Sequence, residues 1–558
     1  MKIEGNILVL GGLILPYKPE INTISIGRVV KEAVIGKLDI PEFQREFVWT
    51  KDQVKELLDS LIKGYPIGSL LIWDLNEYTS GKHVFEERTK DWIVDGQQRI
   101  VSLCLIMSRR PYWMDVDEWN NLLNRYRIKI NVLTLEVALE SPALKKDPTW
   151  IYPQEIFNAE REEDLEKIAT ELSSNINEKL FTKIYNNVKR IWDLQYVEIP
   201  IIKVNASLEN IAMIFERINK AGTRVKQADV TLAYIAAYNE GWIREEFMKY
   251  LDALEDNGFY FDPTLIIRAI TTIGENKAIL RDVSEDFLKN KNGVLDNAFS
   301  NFKRSMEKLI LDLTNVGILN SELIYAKNTI IPLIYLYYKF PDQYNFNKAF
   351  HFFLLALAQG RYSGASETTL QEDINVIYNA KSFEDAIEKL HKEVNTMKIT
   401  KELVKKSVHY QGDGKFLKLV LYLIAYKNQA VDWFTKVRLG FFKHNEINRD
   451  FTIEIHHFFP RSLLKSIGYN EEEKREALAN IAFINPGTNK KLRDAPYVYI
   501  KKYNIDKNEL SKQLIPLDEK LWKIENYETF LDTRSEIIAN ETTNYMKNLY
   551  PQFYQNEK

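Results

Sequence analysis

Cysteine is nearly absent: Cys104 stands alone in 558 residues, which excludes an intrachain disulfide and a cysteine-rich zinc site and fits a reducing compartment. No apolar run approaches the ~20 residues that cross a bilayer. The nearest, NILVLGGLILP, is split by paired glycines and lacks the basic flank and small-residue cleavage site of an export signal. A cytoplasmic protein with no membrane partner is expected, with Cys104 as a core thiol. A Walker sequence is missing too. GDGKF at 412–416 lacks the upstream glycine and the final Ser/Thr, so P-loop chemistry is excluded. Excess charge of one sign is also lacking, since the net charge is -3. Contact with a polyanion must therefore come from a local patch.

What is present is an ordinary globular composition, 45% hydrophobic and 27% charged, with no polar tract that would argue for disorder. The length implies about two to four domains. Val54, Leu57, Leu58 and Leu61 recur at helix spacing, DWIVD reads as a strand running through a turn into a helix, and IPIIKV is a further strand. Residues 1–235 therefore read as one α+β domain. Residues 236–397 read as helical, and TIIPLIYLYYKF and KAFHFFLLALAQGRY have the apolar density of core helices. Residues 398–558 form the third region. Its first part, 398–465, holds 13 Lys/Arg against 6 Asp/Glu, a local excess of 7. Tyr410, Phe416, Tyr422, Tyr426, Trp433, Phe434, Phe441 and Phe442 interleave with these charges. Such a segment either holds a phosphate backbone or lays a solvated basic face over an aromatic core.

Two motifs carry chemistry. In TIEIHHFFP, alternation over Thr452–Ile455 predicts a short strand ending at His456 and His457, with a turn at Pro460. Adjacent strand residues point to opposite faces, so the two imidazoles should have different roles. IAFIN after Asn480 is a second strand, and PGTNKKL enters a helix carrying Asn489. In the second motif, IVDGQQRIVSL, Asp95 and Gly96 make a turn while Gln97, Gln98 and Arg99 open a helix. Free amides plus an arginine suit an anion. The competing reading is a turn with a buried ion pair between Asp95 and Arg99.

The order strand, turn, strand, helix, with His-His on the first arm, resembles the ββα-metal fold of HNH nucleases, and in particular the C-terminal domain of GmrSD-type modification-dependent restriction proteins. The flanks IPEFQREFVW, YPIGSLLIW and FERINKAGTRVKQAD, with DGQQR itself, resemble the N-terminal domain of the same family, a ParB/sulfiredoxin-like α+β fold. The resemblance implies His457 as the general base, Asn480 as the residue orienting its ring, His456 and Asn489 as ligands of a divalent metal, and Lys490 as a DNA phosphate contact, with Asn485 beside it. Mg²⁺ or Mn²⁺ is the expected ion. Histidine rather than aspartate at position 456 leaves Zn²⁺ or Ni²⁺ open. It also implies a nucleoside triphosphate site lined by Asp95, Gly96, Gln97, Gln98 and Arg99, with Gln44, Arg45 and Asn219 in support. The expected protein is a nucleotide-regulated DNA endonuclease of phage defence acting on modified DNA, its oligomeric state open. The rival expectations are a non-cleaving nucleotide- or DNA-binding regulator and an RNA-cleaving toxin.

Overall fold

A computed structural model of the chain describes residues 9–10, 13–14, 20–40, 47–74, 91–204, 227–239, 241–363, 366–440 and 454–555. Its architecture is mixed α+β and mainly helical. Contacts divide the chain into two compact units, Met1–Ile243 and Arg244–Lys558.

The first unit is built on a five-stranded sheet. Its strands are β1 (Glu20–Ser25), β2 (Leu38–Asp39), β3 (Leu70–Asp74), β4 (Asp91–Asp95) and β5 (Glu198–Val204), in the order β1-β5-β3-β4-β2. β5 pairs antiparallel with β1 and parallel with β3, and β3 pairs antiparallel with β4. Three helices cover one face: α1 (Ile26–Val34), α2 (Lys51–Lys63) and α3 (Gln97–Met107). The α2 periodicity works as the spacing requires, since Val54, Leu57, Leu58 and Leu61 are all buried. Thr50 and Gln53 form a reciprocal capping box at its start, and Gly64 closes it at φ 73°. Cys104 is fully buried within α3, and burial pushes its thiol pKa up. That suits core packing rather than reactivity.

Among its described residues the second unit is helical apart from one two-stranded ribbon, β6 (Glu454–His457) and β7 (Ile481–Ile484), paired antiparallel with His456 opposite Ala482 and His457 opposite Ile481. The two apolar segments read as core helices are Ile330–Lys339 and α4 (Phe346–Ala358). Residues 349–357 of α4 are all buried. With α5 (Phe383–Lys392), α6 (Asp413–Lys427) and the 23-residue α7 (Tyr527–Leu549), they build the scaffold under the ribbon. Phe458 stacks on Phe530 at 5.0 Å and Phe459 packs on Tyr527 at 4.9 Å, fastening the end of β6 to α7.

The aromatic residues interleaved with basic ones resolve into core. Phe416, Tyr422, Tyr426 and Trp433 are buried, Phe434 is half-buried, and Tyr410 is exposed. Phe441 and Phe442 lie outside the described residues. Four of the six described aromatic residues of this segment thus belong to the core. Gly414 of GDGKF has a packing role: a Cβ there would sit 1.9 Å from the Val408 carbonyl oxygen.

Beneath α4 lies a one-directional hydrogen-bond chain. The Ile387 carbonyl accepts from His391 Nδ1 at 2.8 Å, so His391 Nε2 must accept from His351 Nδ1 at 2.9 Å. His351 Nε2 then accepts from the Tyr554 hydroxyl at 3.0 Å. Both rings are neutral. Burial lowers the His351 pKa to about 3 and the His391 pKa to about 4, with the neighbouring ring and Lys348 respectively adding to the effect. Both folded pKa values lie below the unfolded value of about 6.5, so the unfolded chain takes up protons first as pH falls. The stabilisation is complete above pH ~6.5 and is lost down to pH ~3–4, at about 1.4 kcal/mol per pH unit for each ring at most. Melting curves between pH 7.5 and 4.5 should show a falling Tm, and His351→Leu with His391→Leu should flatten that fall.

Candidate functional site

The ribbon places its two histidines on opposite faces, as strand alternation requires. His456 is buried, only 1% exposed. Asn489 closes a four-residue helical turn, Pro486–Asn489, which buried Asp432 holds by accepting from Asn485 N and Thr488 Oγ1, each at 2.8 Å. Thus placed, Asn489 Oδ1 lies 2.9 Å from His456 Nδ1, and Asn489 Nδ2 donates to Glu454 Oε1 at 2.8 Å. On the far side of the ring, His456 Nε2 is 3.4 Å from the Tyr499 hydroxyl, which itself donates to Phe458 O at 2.9 Å. Trp433 packs edge-on at 5.6 Å. Burial lowers the His456 pKa to about 4, so the ring is neutral, the form that binds a metal.

His457 faces a different set of groups. Its Nε2 is 2.8 Å from Glu476 Oε2, and His409 Nε2 lies 3.2 Å from the same oxygen. Arg461 Nη1 donates to Glu476 Oε1 at 2.9 Å. His409 reaches this place because residues 407–409 run antiparallel to 476–478. His409 N donates to Glu476 O at 3.2 Å, and Leu478 N donates to Ser407 O at 2.9 Å. Burial would raise the Glu476 pKa, but hydrogen bonds from Arg461, His457 and His409 outweigh it and hold the carboxyl down to about 2. Burial likewise lowers the pKa of His457, against the pull of Glu476, and that of His409 to about 4. Among the described residues, His409, His457 and Glu476 are the group of His, Cys, Asp or Glu whose donor atoms converge, all within 4.8 Å of one another. The motif pointed to neither His409 nor Glu476.

Asn480, expected to orient the His457 ring, has other partners. Its backbone carbonyl accepts from Phe458 N at 2.7 Å. Its side chain accepts from Phe459 N at 2.9 Å and donates to Phe459 O at 3.0 Å. It clamps the chain just after the histidines rather than touching a ring. Fully buried Arg534 supports this loop by donating to the carbonyls of Ala479, Gln513 and Leu514. The Gln513 side chain then pairs with both backbone groups of Phe483 in β7. Lys490 is exposed beside Asn489, and Asn485 Nδ2 donates to Thr435 Oγ1. Thr452 and Ile453 lie outside the described residues.

In the first unit, Gly96 adopts φ 105° at the start of α3, and a Cβ there would come within 2.4 Å of Leu70 Cδ2. Only glycine fits this turn. Arg99 pairs with Asp95 at 3.0 Å and donates to Ile67 O at 2.9 Å. Gln98 Oε1 accepts from Val48 N at 2.8 Å and Trp49 N at 3.3 Å, and Gln97 is buried. The Asp95–Arg99 ion pair read from the sequence is present but only partly buried, with the Asp95 side chain 37% exposed, and Gln98 and Arg99 tie α3 to two neighbouring loops. Gln44, Arg45 and Asn219 lie outside the described residues.

Among the described residues no helix is long and apolar enough to cross a membrane. The chain is 25% identical over 540 residues to an uncharacterized protein of Methanocaldococcus jannaschii, covering 86% of this chain and 87% of that protein. Residues 26–236, which begin with α1 and run past the end of β5, match the family model described as the GmrSD restriction endonuclease, N-terminal domain.

Proposed function

We propose that this protein is a metal-dependent DNA endonuclease of phage defence, with its cleavage site on the ribbon of the second unit and a nucleotide-responsive first unit. The observation that carries the reading is the division of His456 and His457 between the two faces of β6, with Asn489 against the first and a carboxylate against the second. The match of residues 26–236 to a restriction endonuclease domain supports the defence role and DNA as substrate. Modified DNA as the preferred target belongs to the same reading by analogy with that family.

His456 and Asn489 are the residues that would hold the cation. Their facing atoms are 2.9 Å apart, and a His456 ring that gave up its Nδ1 proton could carry one on Nε2, toward the Tyr499 oxygen. A metal-binding histidine needs such a partner for its other nitrogen. A bound divalent ion supplies charge stabilisation at the phosphoryl group and the departing oxygen. His457 takes the proton from the attacking water, and the lowering of its pKa by burial keeps the ring in the neutral form that can accept one. Exposed Lys490 offers a phosphate contact. The test is nicking of supercoiled plasmid with Mg²⁺ or Mn²⁺, run beside an RNA substrate. Cleavage of RNA alone points to a toxin, and absence of cleavage of either, with DNA binding retained, points to a regulator.

For the first unit, the reading includes nucleoside triphosphate binding and hydrolysis at the Asp95–Arg99 turn. Phosphate release should fall in Arg99→Ala, measured on protein whose circular dichroism melt shows it folded. Equal release from both proteins would remove the hydrolase half of the proposal.

A further inference from the structure

We infer that Glu476, backed by His409 and Arg461, is a positioning residue for His457, fixing the ring as the Nε2–H tautomer and so committing Nδ1 to accept the proton from water. This rests on the nuclease reading and assigns within it the orienting role that Asn480, clamped to the Phe458 and Phe459 backbone, does not fill.

The argument is one of donors and acceptors. An ionised carboxylate only accepts, so the nitrogen 2.8 Å from Glu476 Oε2 must carry a proton. In the neutral ring the lone pair is then on Nδ1. The same oxygen accepts from His409 Nε2, while Oε1 accepts from Arg461. Both carboxylate oxygens are thus held, by three donors drawn from the 457–461 stretch and from residue 409. After proton uptake, the imidazolium would sit against a negative charge already in place, which is the work of an orienting carboxylate.

The three converging donor atoms could also be read as ligands of one ion, and two observations favour the hydrogen-bonded hub. The Glu476 charge is already matched by Arg461, and Lys418 bears electrostatically on His409, so a dication would enter positive surroundings. A metal-bound histidine donates its other N–H to a partner, but buried His409 Nδ1 has none among the described residues. His456 differs in having Tyr499 at that position.

The test uses full-length protein with ¹⁵N-labelled histidine and long-range ¹H–¹⁵N spectra, with His457→Ala identifying the signal. The expected results are an Nε2–H tautomer for His457 in wild type, a shift toward the other tautomer in Glu476→Gln, and about 100-fold or greater loss of kcat in Glu476→Gln with KM changed less than about twofold. An Nδ1–H tautomer in wild type would overturn the inference. So would equal kcat in the two proteins when wild type cuts DNA. Zinc or manganese retained on equilibrium dialysis by His456→Ala but lost by His409→Ala would overturn it in favour of a metal site. Failure of wild type to cut any nucleic acid would defeat the nuclease reading, and the tautomer would still decide the Glu476 contact.

Discussion

Replacing His457 by alanine should lower the rate of plasmid nicking by about 10²- to 10⁴-fold, the range expected when a general base is removed, while DNA binding and the melting temperature stay close to wild type. The geometry separates these effects. Once the ring is gone, Glu476 keeps Arg461 at 2.9 Å and His409 at 3.2 Å, so no buried charge is left without a partner. The Asn480 clamp on the following residues is also untouched. Filter binding, nicking rates and thermal melts on one pair of preparations check all three statements. Equal nicking by mutant and wild type would remove His457 from the proposed mechanism.

Asn480→Ala should behave in the opposite way, losing stability first. Its side chain is fully buried and satisfies both the N–H and the C=O of Phe459, itself fully buried. Alanine would leave a buried donor and a buried acceptor unpaired, at about 1–3 kcal/mol each. That gives roughly 2–6 kcal/mol in all, or a fall in Tm of about 3–9 °C for a unit of this size. Any activity loss should follow the fraction unfolded, recovering at temperatures where the mutant is folded. A mutant that melts like wild type yet fails to cut would return Asn480 to a direct catalytic role.

Much of the ribbon was legible because it is specified locally. Alternation ending at a proline set the first strand, the apolar run after Asn480 set the second, and the turn residues of PGTN set the short helix bearing Asn489. The turn after β4 was legible for the same reason. The partners of His457 were not. Glu476 ends the charged run EEEKRE, which by itself reads as a solvated helix face, and it is buried only because residues 407–409 pair across its backbone. His409 sits in KKSVHY with no motif around it, and only the tertiary pairing brings it to the carboxylate. The basic and aromatic segment shows the same limit. Its composition allows a phosphate-binding surface or a core, and the side to which Phe416, Tyr422 and Trp433 turn is settled by packing.

The Gln513 side chain, bonded to both backbone groups of Phe483, acts as a one-residue third strand on the ribbon. Two strands of four residues are a weak specification of alignment, and a slip of one position would turn every side chain to the other face. Here that slip would exchange His456 and His457. In two neighbouring residues of identical chemistry, the proposed ligand and the proposed base are then told apart by register alone. Gln513, with Arg534 behind it, is part of what keeps the alignment, although neither touches an imidazole.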